Sequence, residues 1–504
     1  FNANSFDCMT IRYSASWLNS AQTTIHSDTR TGEILNASIL INANMISVQY
    51  ADRIGATVAI DPRVRTTVFP QEIQGELIQA AIAQAVGTGL GLTMNWGASC
   101  AYPVDSLRSA SFTQKYGLAS SVMGGVIIND VATEEDVRNG VCLVNTKPGP
   151  YDELVIKYLY QPIYASSLQE EKETLDSWIR EHTGDPYYAY IRNQSRFDSD
   201  PRNSRGSLGD DHLKSFDYML PNVRKGFENY YSWFAKEDRD FLMRRRVHSA
   251  LSERLSGRIY AILSYIGGIY LNDIREKDAI PSYSMVDREK QKAALSKALE
   301  LAKNLDWVDD TAHLNEFEIS DKKADRLRLD IFNGIFGRLP YVEVCTERFP
   351  DAAYTASEYL DDIYGIVWEG VLKHRPLENF DRALQTAFLE SIISTSTATA
   401  PIGSFKASKT GFAATGKPEI NLAALRNGGK VDMKMYSLQN AEEVAGFSSI
   451  PPIYTNQTKI AAYYFDLLMR TKDMLKKAIS TAPEADRSHY DLLIYRINKA
   501  TEIE

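Results

Sequence analysis

The chain has 504 residues, 44% of them hydrophobic and 24% charged, an ordinary globular composition on a length that exceeds what one hydrophobic core usually covers. A net charge of −9 and a pI near 5.5 leave no electrostatic footprint for nucleic acid. Cys8, Cys100, Cys142 and Cys345 are scattered and form no CxxC pair, which excludes a disulfide framework, and no run of about 18 apolar residues is present to cross a bilayer as a helix.

The chain starts at Phe1 without a basic and then apolar leader, so a processed or truncated start is expected, with any signal or lipid anchor upstream. The first fifty or so residues read as strands. Residues 11–17 alternate in part, and EILNASILI at 33–41 is β-rich behind the turn signal DTRTG at 28–32. FPQE at 69–72 opens a helix, with proline early and acid in the first turn. Its apolar face runs Ile73, Leu77, Ile78, Ala81, Ala85 and Thr88 until Gly87, Gly89 and Gly91 break it, so Gln84 and Thr88 lie one turn apart on one side. Beyond Pro148 the pattern becomes helical, over residues 151–164, 170–181, 239–271, 288–305 and 323–338. A polar loop covers 196–211, and a Ser, Thr, Ala and Gly-rich stretch over 394–430 reads as a long loop or insertion before helices at 455–480 and 488–502.

The most informative stretch is AQAVGTGLGLTMNWGAS at residues 83–99. It resembles a family of bacterial zinc-dependent metallopeptidases of the Gram-negative envelope, whose helix and turn read HEVGHTLGLRHNFGAS. The resemblance continues through AYPVDSLRS at 101–109, SVM at 121–123, DTRTGEIL at 28–35, GPYD at 149–152, LGDD at 208–211 and IGG at 266–268. It spans roughly residues 10 to 310. It implies that Gln84 and Thr88 stand where two histidines at i and i+4 hold zinc, Met94 where the third does, and Ala85 where a glutamate acts as general base. Gly87, Gly91, Asn95, Gly97 and the Met-turn residue Met123 keep the family pattern. By the resemblance, then, the shaping residues remain while every chemical position is replaced.

The histidine count agrees independently, because none of the seven lies between His26 and His182. Amide, hydroxyl and thioether groups are poor replacements for imidazoles on zinc, and without the metal a water stays far too weak an acid to supply hydroxide at neutral pH. Competing readings are weaker. Met94, Cys100 and Met123 could be a soft Cu(I) site, but a Met-turn floor and a space-filling thioether account for them. GTGLG at 87–91 lacks the GxGxxG spacing of a dinucleotide loop. Asp210 and Asp211 beside His212 read as a loop and helix cap, and 239–254, with Arg244, Arg245 and Arg246, as a solvated helix face. The 28 tyrosines, densest at YYAY 187–190 and at Tyr463 and Tyr464, allow a glycan-binding reading.

The expected fold is α+β: a zincin-like (pseudo)catalytic domain at 1–147, with a mixed sheet and an active-site helix, then a mostly α-helical domain at 148–393. The loop at 394–430 and a C-terminal helical segment at 431–504 follow. The edge strand above the cleft is placed at 33–41, where β-augmentation would hold a peptide. The expected function is an inactive metallopeptidase homologue, without metal or other cofactor, that binds polypeptide or protein subunits in the bacterial cell envelope, in the periplasm or at the outer membrane. An active zinc peptidase with non-standard ligands and a glycan-binding envelope protein are the alternatives.

Overall fold

The computed structural model describes residues 9–18, 21–191, 199–203, 206–272, 274, 278, 280–310, 312–313, 322–395 and 457–501. The expected loop at 394–430 lies outside them except for its first two residues, as does part of the polar loop at 196–211. The chain forms two compact units, one of residues 1–193, 198–373 and 377–388 and one of residues 194–197, 374–376 and 389–504.

The first unit begins with three strands, β1 (Thr10–Ser14), β2 (Ala21–Ser27) and β3 (Ile34–Asn42), in the order β1-β3-β2, with β1 parallel and β2 antiparallel to β3. Two helices follow, α1 (Ala43–Thr57) and α2 (Gln71–Gly89). Ile39 and Ile41 of the middle strand meet Met45, Ala81 and Ala85, so this face of the sheet is closed by α2. The strand expected at the sheet edge, 33–41, is therefore the central one. Ala37, Ile39 and Ile41 are buried along it together with Asn36 and Asn42, as suits a strand with a partner on each side. The edge beside α2 is β2, where polar residues alternate in and Thr23 Oγ1 donates to the Ala85 carbonyl at 3.2 Å.

The all-strand expectation for the first fifty residues fails at α1. Met45, Gln49, Arg53 and Thr57 are buried at one helical spacing, but three of the four are polar, so hydrophobic periodicity does not reveal the helix. Helix α1 lies so close to a later helix that a Cβ on Gly55 would sit 2.5 Å from the Ala250 carbonyl oxygen.

Short helices α3 (Ala110–Tyr116) and α4 (Glu134–Arg138) precede α5 (Pro150–Tyr160) and α6 (Leu168–Arg180). The long helices α7 (His212–Phe234) and α8 (Leu242–Leu263) pack on each other and on α1. Helix α7 carries Pro221 inside it, a residue that ordinarily marks a break, so the helix is not legible in the sequence. The helix expected over 239–271 stops at Leu263. Gly267, at φ 64°, turns the chain into a two-stranded ribbon, β4 (Ile269–Leu271) with β5 (Tyr283–Met285). Helices α9 (Arg288–Lys303), α10 (Lys323–Phe336), α11 (Leu339–Arg348), α12 (Ala356–Val367) and α13 (Glu369–Leu372) complete this part, and α14 (Asn379–Thr395) follows. In the second unit α15 (Gln457–Ala478) and α16 (Glu484–Thr501) bury Leu468, Leu475, Leu493 and Ile497, and Arg496 pairs with Glu390 at 2.9 Å.

One solvated-face expectation is corrected. Arg244 is buried, its Nε donating to Asp238 at 3.1 Å, and Arg254 Nε donates to Asp130 at 2.5 Å, while Arg245 and Arg246 remain exposed. Asp130 is fully buried and also accepts from Arg258. Burial by itself would raise the pKa of its carboxyl, but Arg254 and Arg258 outweigh burial and hold it below the ordinary range.

Candidate functional site: the end of helix α2 and the Met-turn

Helix α2 carries the candidate positions in its last two turns and runs through Gly87 to Gly89 rather than breaking at the first glycine. There the carbonyl of Gly87 accepts from Leu92 N at 3.0 Å and that of Thr88 from Gly91 N at 2.9 Å, which satisfies carbonyls at the helix end. Gly91 has φ 89°, a conformation that suits glycine, and it turns the chain back along the helix.

That reversal brings Met94 onto Gln84, whose Nε2 donates to the Met94 sulfur at 3.0 Å. Thr88, one turn further along, donates from Oγ1 to the Gln84 carbonyl at 3.2 Å and so spends its hydroxyl on its own helix. Two of the three expected metal-ligand positions are thus in direct contact and the third is adjacent. Ala85 points instead into the core beneath β3. Met94 also borders an apolar cluster of Leu92, Val122 and Met123, flanked by Val155 and Ile156 of α5.

The turn at 121–124 forms the floor. Met123 is fully buried, and a Cβ on Gly87 would come within 2.6 Å of its sulfur, so the absence of a side chain there allows the helix to rest on the turn. Ser121 caps the turn by accepting from Met123 N at 2.9 Å. Asp152 then holds it from below, accepting from Ser121 Oγ at 2.5 Å, Val122 N at 2.9 Å and Gly149 N at 2.9 Å. Burial pushes the Asp152 carboxyl above its ordinary value, against these three donors. Asp152 belongs to the GPYD motif, but its role as a clamp is visible only once 121 and 149 are adjacent.

Asn95 ties three segments together. Its N–H donates to the Met123 carbonyl at 3.1 Å, its Nδ2 donates to the Ala189 carbonyl at 2.9 Å, and its Oδ1 accepts from Ile191 N at 3.1 Å. A Cβ on Gly97 would lie 2.2 Å from Ile191 Cγ1, so this glycine is required by the close approach of the 185–191 segment. Neither Ala189 nor Ile191 carries a motif signal. The tyrosines of YYAY each meet another ring: Tyr187 meets Tyr102 edge-on, Tyr188 stacks on His182 with centroids 3.7 Å apart, and Tyr190 stacks on Tyr151. Cys100 is remote from a soft-metal role. It is buried against Ser99 and Ser207, and burial pushes its thiol upward. Asp211 accepts from Leu213 N and Lys214 N as the cap of α7, and Asp210 accepts from Val104 N.

A zinc ion asks for imidazole, thiolate or carboxylate donors. The amide, hydroxyl and thioether gathered here do not fit one, and among the described residues no cluster of three His, Cys, Asp or Glu side chains could hold a metal. What the arrangement offers is a neutral surface at the end of a helix beside the sheet edge β2.

A small mixed sheet laid on a helix that ends in a glycine turn over a buried methionine defines a zincin-like α+β protein. The family model for Met-zincin proteins matches residues 66–375, more than half of the chain, and the chain belongs to that family. Comparison with curated proteins and with solved structures finds no match to either.

Proposed function

We propose that this chain is a catalytically silent Met-zincin that binds polypeptide beside β2 and α2 and serves as a scaffolding component of the bacterial cell envelope. The observation that carries the reading is the Gln84–Met94 contact, which fills the space between two expected ligand positions with groups that neither bind zinc nor move a proton. Ala85, at the position of the general base, has no acid–base group and is turned into the core. In this reading residues 1–147 are the (pseudo)catalytic domain, residues 148–393 the helical one, and no cofactor is used. The antiparallel edge β2 supports β-augmentation as the mode of capture, because an edge strand with an unpaired side can take an extended chain without cutting it. The envelope assignment follows the resemblance of the motifs at 83–99, 121–123 and 149–152 to envelope metallopeptidases.

The test joins metal analysis of the purified protein by mass spectrometry with a zinc-supplemented digestion of a mixed peptide library. Less than about a tenth of an equivalent of metal, no cleavage, and retention of a subset of intact peptides are expected. Stoichiometric zinc with cleavage that a chelator abolishes would overturn the reading.

A further inference from the structure

Close to the end of α2 the surface is unusually apolar. Tyr160 Oη donates to the Leu90 carbonyl at 2.8 Å and so pins the end of α5 to the glycine turn. A Cβ on Gly91 would lie 3.3 Å from Ile34 Cδ1 and 3.7 Å from Leu159 Cδ1, which places the start of β3, the turn and α5 side by side. On these segments Leu35, Leu159 and Tyr160 are 39%, 47% and 49% exposed. The turn between α5 and α6 adds Tyr164 at 97%, and the first residue of α6 adds Leu168 at 84%. Large apolar side chains so exposed on neighbouring segments mark an interaction surface rather than scattered surface residues.

Acidic side chains outnumber basic ones on this surface, where Lys157 in the last turn of α5 lies over the Trp178 ring of α6. Glu33 is exposed at the strand end. Glu170 is exposed and fixed in place, its Oε2 accepting from Ser166 N at 2.8 Å and Ser166 Oγ at 2.6 Å, and exposed Glu173 accepts from Gln169 Nε2 at 2.8 Å. Glu171 joins them, and Lys172 is the single cation between residues 161 and 173. The chain as a whole carries −9. Anionic lipid would be repelled, whereas a polypeptide with Lys or Arg beside apolar side chains satisfies both features at once.

We infer that the polypeptide taken at this site is cationic and apolar, and that the α5–α6 turn and the start of α6, through Tyr164, Leu168, Glu170 and Glu173, read that chemistry. The inference rests on the polypeptide-binding reading above. Its test uses fluorescence anisotropy on the full chain with two labelled peptides that share their apolar residues, one flanked by Lys and Arg and the other by Glu and Asp. The cationic peptide is expected to bind more tightly, and more weakly as salt rises. Tyr164→Ser with Leu168→Ser should weaken it about tenfold or more, in line with loss of two buried apolar contacts. Glu170→Gln with Glu173→Gln should reduce the preference between the peptides. All four positions are exposed, and an unchanged circular dichroism spectrum verifies folding. Failure of both peptides to bind overturns the polypeptide reading and this inference with it. Binding that ignores peptide charge, or that ignores the tip substitutions, overturns this inference alone. So does attachment to phosphatidylcholine vesicles that depends on Tyr164 and Leu168, since the turn would then be a lipid contact.

Discussion

At the scale of single residues, the frame and the chemistry of the site separate cleanly. Gly87, Gly91, Asn95, Gly97 and Met123 each have a task that concerns shape: contact with a sulfur, a positive φ, three hydrogen bonds, a close approach, a floor. Gln84 and Met94 bond to each other, and Thr88 bonds to Gln84. If the frame is intact, imidazoles placed on it should hold a metal. The variant Gln84→His, Thr88→His, Met94→His is expected to hold about one equivalent of zinc, measured by mass spectrometry after dialysis, where the parent holds less than about a tenth. A folded variant without metal would mean that the glycine turn no longer delivers position 94 to the helix face.

At the scale of elements, the turn at 121–124 and the helices around it are held by buried carboxylates. Asp152 fixes the Met-turn to the start of α5, and Asp130 fixes its loop to α8 through two arginines. Asp152→Ala leaves Val122 N and Gly149 N without their acceptor in a buried place, at a cost of roughly 3 kcal/mol. A matching drop in the urea midpoint is expected, with Asp152→Asn falling in between because it keeps one acceptor oxygen. A midpoint equal to the parent's would show that water replaces the carboxylate and that the clamp is not needed.

At the scale of the whole molecule, the acidic chain keeps a neutral imidazole in its interior. His212, the first residue of α7, stacks on Tyr265 and has Nε2 2.9 Å from the Pro201 carbonyl. Burial pushes its pKa down to about 4 from the ordinary 6.5, with the Pro201 carbonyl acting against this. Between those values the unfolded chain binds a proton that the folded one refuses. The stability contributed by neutral His212 is therefore complete above about pH 6.5 and declines as pH falls towards 4, by roughly 2 kcal/mol between pH 7 and 5. Urea unfolding at the two pH values should show this loss in the parent and a smaller one in His212→Gln. Equal losses in both would place the acid sensitivity elsewhere.

The sequence by itself determined the family frame, because glycines, a turn methionine and i, i+4 spacing are local properties that persist as text. It also located most of the helices after residue 148, where apolar residues recur at helical spacing with charge between them. The tertiary structure decided what local pattern cannot hold. It made β3 central and left β1 and β2 at the edges, since strand order depends on partners rather than on the strand's own residues. It revealed α1, whose buried face is largely polar, and α7, whose proline is tolerated within the helix. It joined Asp152 to the Met-turn and Ile191 to Asn95, contacts between residues about 30 and nearly 100 apart in the chain. Such pairings follow from packing free energy summed over the whole unit, and no window of the sequence contains both partners.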